Sequence, residues 1–100
     1  MSNIRILVDR TLLLRKVLGP KAAATMLMLE YLNEVETASV AELETLCGDK
    51  ARRILELMLR LGLVRQQRGD KFVLTGAGRC VLELLRELYR VLAREIIMYN

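Results

Sequence analysis

Apolar residues recur along this chain at two different periods, and the changes of period divide it into elements. From residue 3 to 18, Ile4, Leu7, Thr11, Leu14 and Leu18 alternate spacings of three and four. This heptad-like stripe predicts a helix stopped by Gly19-Pro20. Ile4 to Val8 also reads as a strand start, with Asp9 capping a later helix; the longer stripe favours the helix. From Lys21 to about Glu34, the apolar set Ala22, Ala23, Met26, Leu27, Leu29 and Leu32 covers most sides of a second, core helix. Ser39 followed by Glu42 is a capping-box signature, opening a short helix through Leu43 and Leu46 to Cys47. Gly48-Asp49 makes a turn, with Asp49 placed as the cap of the next helix. That helix has Ala51, Ile54, Leu55, Met58 and Leu61 on one face and Arg52, Arg53, Glu56 and Arg60 on the other.

At Gly62 the helical period gives way to two β-prone runs, Leu63 to Gln67 and Phe72 to Thr75. They are joined by Arg68-Gly69-Asp70-Lys71, which carries a Gly-Asp hairpin signal. Thr75 stands where its hydroxyl can cap the last helix, and Gly76 and Gly78 let that helix start close against the body of the fold. The last helix, about Gly76 to Met98, carries two competing stripes: Val81-Leu84-Leu88-Val91 and Leu82-Leu85-Tyr89-Leu92-Ile96-Tyr99. One stripe seats the helix on its own domain and leaves the other for a second chain; the alternative is one broad face buried within a monomer. The expected dimer interface is Leu7, Leu14, Leu82, Leu85, Tyr89, Leu92 and Ile96.

The order helix, helix, helix, hairpin, helix, with the Gly62-Leu63-Val64 exit, Phe72-Val73-Leu74-Thr75 and Gly78 three residues after the threonine, resembles the winged helix-turn-helix domain of MarR-like and related archaeal dimeric regulators. The resemblance covers roughly residues 21 to 90. It implies a mainly α fold with a small β-hairpin, in which residues 50 to 61 form the recognition helix. It divides the single domain into an N-terminal dimerisation helix (1–18), a winged-helix core (21–75) and a C-terminal dimerisation helix (76–100). Glu42 and Glu44 depart from the pattern, because relatives often carry phosphate-binding groups there.

Composition narrows the function. One hundred residues make one domain. A hydrophobic fraction of 53% predicts apolar surface left over for a partner subunit. The net charge of +4 is unevenly spread. Residues 50 to 71 hold Lys50, Arg52, Arg53, Arg60, Arg65, Arg68 and Lys71 against Glu56 and Asp70. Residues 30 to 49 hold Glu30, Glu34, Glu36, Glu42, Glu44 and Asp49 with no basic residue. Such a field turns the 50 to 71 side toward a polyanion.

The candidate DNA-binding residues are therefore Lys50, Arg52 and Arg53, near the helix start where donors reach base edges, and Arg65, Arg68 and Lys71 on the wing, for phosphates or the minor groove. Gln66, Gln67 and Arg79 are weaker candidates. Competing ordinary roles are an Arg52-Glu56-Arg60 surface ladder and wing cations that guard an exposed strand edge.

No apolar run has the length of a secretion signal or a membrane helix, so the expected location is cytoplasmic. Cys47 and Cys80 are expected as small core residues, with a bridge between them left open. Histidine is absent and no acid pair or phosphate loop is evident, so neither an enzyme nor a cofactor is expected. Tyr31, Tyr89 and Tyr99 do not outline an effector pocket. The expected partners are double-stranded DNA and a second copy of the chain, for a transcriptional regulator or chromatin-associated factor. The alternative is a winged-helix interaction module within a larger complex.

Overall fold

The computed structural model describes residues 19–98, with side chains through Glu95. The expected helix over residues 3 to 18, including Leu7 and Leu14, lies outside the described residues.

Pro20 opens α1 (Pro20–Val35), where its fixed φ suits the first helical position and its missing N–H costs nothing. Buried Ala23, Met26, Met28, Leu29 and Leu32 make α1 the centre of the core. It ends at Glu36, which holds a positive φ of 71° while its N–H donates to the Leu32 carbonyl. Then follow β1 (Thr37–Ser39), α2 (Val40–Cys47), a 3-10 turn (Gly48–Lys50), α3 (Ala51–Arg60), β2 (Val64–Gln66), β3 (Lys71–Leu74) and α4 (Gly76–Met98). The strands form an antiparallel sheet in the order β1-β3-β2. Val64 pairs with Leu74, and Ala38 with Phe72. These four residues are buried, and they close one side of the core formed by α1, α3 and the first turns of α4.

The mainly helical winged fold agrees with the sequence reading, and four details differ. The sheet has a third strand, β1, because three small residues ending at the α2 cap, Ser39, occupy the outer edge of β3. Such a run is too short and too weakly β-prone to signal itself. Asp49 does not cap α3. The chain stays helical through the 3-10 turn, and Lys50, which precedes α3, is itself in the right-handed helical region, so no extended residue presents a side chain to the first amides. Cys80 is exposed rather than in the core, and Cys47 is half-buried; both thiols are free. Burial pushes the Cys47 thiol up to about 11. The fourth difference separates the two glycines. A Cβ at Gly76 would meet nothing within 4 Å, whereas one at Gly78 would overlap the Leu63 carbonyl oxygen and stand 2.5 Å from Leu74 Cδ1.

Gly78 belongs to a junction that fixes three elements at once. Gly62, with φ of 76°, ends α3 in a Schellman arrangement: its N–H donates to Leu59 O and that of Leu63 to Met58 O. Thr75 Oγ1 then donates to Gly62 O (2.6 Å) and accepts from the Gly78 N–H (3.1 Å), while the Thr75 N–H donates to Leu63 O. The exit of α3, the end of β3 and the start of α4 are thereby tied by backbone and one hydroxyl.

Farther along, α4 is held to α1 by a charge pair between residues 56 positions apart. Glu30, 7% exposed, accepts from both Nε (2.7 Å) and Nη2 (2.8 Å) of Arg86. Glu83 takes the remaining Arg86 nitrogen at 3.1 Å. The bidentate geometry is what makes a buried carboxylate tolerable.

Gly78→Ala is expected to cost roughly 1–3 kcal/mol by overpacking against Leu63 and Leu74. Gly76→Ala, at an open position, is expected to be neutral or slightly stabilising. Urea denaturation of both variants checks this, and equal effects at the two positions would contradict it.

Candidate nucleic-acid interface

The helix-turn-helix is built from α2, the 3-10 turn and α3. Its entry is the predicted capping box: Ser39 Oγ accepts from the Glu42 N–H (3.2 Å), and the Ser39 N–H donates to Glu42 Oε1 (3.4 Å). Glu42 does more than cap. Its other oxygen accepts from the Tyr31 hydroxyl of α1 (2.9 Å), and Lys71 Nζ of β3 lies 3.8 Å from Oε1. The Tyr31 hydrogen bond, followed by the Ser39 backbone, holds the Glu42 carboxyl below the usual carboxylate range, with a smaller contribution from Lys71. Glu44, farther along α2, accepts from Arg52 Nη2 of α3 at 3.3 Å. The two acids that depart from the MarR-like pattern are thus braces from α2 to its neighbours.

On α3, Ala51, Ile54, Leu55 and Met58 are buried and Arg52, Arg53, Glu56, Leu57 and Arg60 are exposed. At 100° per residue, Arg53, Glu56 and Arg60 lie opposite the buried face, with Arg52 on the flank that faces α2 and Leu57 on the other flank. The Arg52-Glu56-Arg60 ladder does not form, because Arg52 turns to Glu44 instead. Arg53, Glu56 and Arg60 make no ion pair among the described residues, and neither does exposed Lys50 just before the helix.

The wing turn is set by Gly69, with φ of 69°, and by Gln66, whose Nε2 donates to Gly69 O at 2.7 Å. The Gln67 N–H donates to Lys71 O across the hairpin. Gln66 is therefore occupied in shaping the turn. Arg68 stands exposed at the tip without an ion pair among the described residues.

The six expected DNA-binding residues separate into three situations. Lys50, Arg53 and Arg68 are exposed and make no ion pair among the described residues. Arg52 and Lys71 are exposed but paired with α2 acids; such surface pairs are weak and exchange readily for another anion. Arg65 sits in a cross-strand row with Val73 and Thr37, on the sheet face away from the buried Phe72 and Leu74. There it shares with Arg79, Asn33 and Glu36 a cleft of about 340 Å³. Alternation along β2, with Val64 buried and Arg65 exposed, puts Arg65 on this outer face of the sheet.

The competing stripes of α4 are also told apart. Leu82 is fully buried, and Leu85 and Leu92 pack against the same core. Tyr89 is half-buried, and the Ile96 side chain lies outside the described residues. The expectation that Leu82 meets a second chain is corrected, because it is buried in its own domain, and Leu85 and Leu92 are partly covered there. Leu84 (69% exposed), Leu88 and Val91, at spacings of four and three, are the outward apolar stripe.

Among solved structures, the chain is similar to the crystal structure of a MarR-family transcriptional regulator from Silicibacter pomeroyi, with a TM-score of 0.67 and 25% sequence identity. The match covers 92% of this chain and 69% of that one. No family model matches the sequence, and no curated protein does. The winged helix-turn-helix architecture of a MarR-like regulator is the fold of this chain. Among the described residues, no helix is long and apolar enough to cross a membrane.

The lowered Glu42 carboxyl sets a pH signature. A depressed folded-state value adds stability that is complete above the unfolded value of about 4.3 and is lost as pH falls through the folded one. Glu42→Gln is expected to destabilise the protein at pH 7, by a margin that shrinks below about pH 4. Denaturation midpoints of both proteins between pH 7 and about pH 3 check it, and a margin independent of pH would contradict it.

Proposed function

We propose that this chain is a DNA-binding transcriptional regulator that works as a homodimer. The observation that carries the reading is the outward face of α3. Arg53 and Arg60, with Lys50 ahead of them, are exposed and free of internal ion pairs among the described residues, on the second helix of a helix-turn-helix. A cationic helix of this kind fits the major groove, which admits one helix and offers guanine O6 and N7 to a guanidinium. Arg68 at the wing tip supplies a phosphate contact beside it, adding affinity without sequence information. The likeness to a MarR-family transcriptional regulator supports the same role.

Dimerisation is supported by Leu84, Leu88 and Val91 on α4, which leave an apolar stripe at heptad spacing facing out of the protomer. Two copies joined there present two α3 helices, and successive major grooves on one side of a duplex lie about 34–36 Å apart.

A gel-shift titration of random duplex across a salt series tests the proposal. Binding is expected to weaken linearly in logarithmic coordinates as salt rises, with two chains in the shifted species. Lys50→Ala and Arg68→Ala are each expected to flatten the slope by about 0.9 for every phosphate that the removed cation neutralised. No shift at low salt, or slopes unchanged in both variants, would overturn the assignment and favour a protein-interaction role.

A further inference from the structure

The exposed side of α3 is not uniformly charged: Leu57 lies on its flank away from Arg52. Leu57 is 43% exposed and lies between Arg53, one turn before it, and Arg60 and Leu61, one turn after. It takes no part in the core, which α3 reaches through Ala51, Ile54, Leu55 and Met58. Glu56, the preceding residue and 100° round the helix, is exposed and without an ion pair among the described residues. The helix therefore offers a guanidinium, a carboxylate and a branched apolar side chain within two turns of its exposed surface.

We infer that Leu57 is a specificity-determining residue that packs against the C5-methyl group of a thymine in the major groove. The inference rests on the DNA-binding reading above and deepens it. In the major groove, thymine alone of the four bases presents a methyl group, and an apolar side chain is the group that recognises it. The neighbouring charges fit the same surface. Arg53 matches guanine, and Glu56 accepts from the cytosine amino group, a role that explains a free acid on a face otherwise suited to a polyanion. Spacing sets the register. Residues one turn apart are separated by about 6 Å along the helix axis, which is nearly two base-pair steps of about 3.4 Å. The thymine read by Leu57 thus lies within about two base pairs of the guanine read by Arg53. Arg60 and Leu61, near the end of α3, flank the backbone as the helix leaves the groove.

Selection from a pool of random duplexes with the native chain, followed by deoxyuridine replacement of each thymine in the recovered sequence, tests this. Deoxyuridine lacks only the methyl group. One thymine near a guanine that depends on Arg53 is expected to show about a fourfold loss of affinity on replacement, the worth of one buried methyl. In Leu57→Ala, thymine and deoxyuridine are expected to bind alike at that position, while the Lys50 and Arg68 contributions to the salt slope persist. Leu57 is surface-exposed, so the variant is expected to melt at the native temperature, which thermal denaturation verifies.

Duplex binding that is indifferent to deoxyuridine at every position would overturn the inference and leave the DNA-binding reading standing. Discrimination retained by Leu57→Ala would do the same. Failure of the native chain to retain any duplex at low salt would overturn both.

Discussion

The position of α3 depends on the junction of Gly62, Leu63, Thr75 and Gly78. Gly62 ends α3 in a conformation that side chains resist, and Thr75 ties its carbonyl to the first turn of α4. Gly78 lets α4 come so close that a single methyl group would strike the Leu63 carbonyl. Because these bonds join α3, the end of β3 and α4 within a few residues, the wing and the helix share one rigid anchor. A hairpin of two short strands has little stability of its own. Here it borrows order from the helices it connects.

A second set of constraints acts from the other side. Glu42 links α1, the α2 cap and β3 through Tyr31, Ser39 and Lys71, and Glu44 holds Arg52 of α3. Each surface pair is worth little alone, but together they turn an acidic helix that would repel a polyanion into a neutralised brace. The consequence for function is selective. Arg52 and Lys71 are partly occupied at home, which leaves Lys50, Arg53, Arg60 and Arg68 as cations of this surface with no acid to satisfy among the described residues. Between α1 and α4, Glu30 and Arg86 perform the corresponding task in the interior.

The parts that were legible in the sequence are those governed by neighbours along the chain. Helical periodicity found α1 to α4, the Ser39–Glu42 spacing found the capping box, and the turn residues around Gly69 found the wing. What was not legible depends on contacts between distant residues. Ala38 forms a strand only because Phe72 is there to pair with it. The two α4 stripes have the same spacing, and only the packed fold reveals that Leu82 faces inward and Leu84 outward. Glu30 in the middle of an apolar helix was the one local sign of a buried partner, but nothing near it points to Arg86. In the candidate site, the cations were found by type, while their division among free, paired and cleft-bound positions required the fold.

If the free face of α3 and the wing tip together form the surface that meets a duplex, contact must register there first. Amide chemical shifts of the isotope-labelled protein, followed during titration with random duplex at low salt, read this residue by residue. The largest changes are expected on residues 50–60 and 66–71, with the outward stripe of α4 unmoved. Changes concentrated on residues 84–91, or absent altogether, would contradict it.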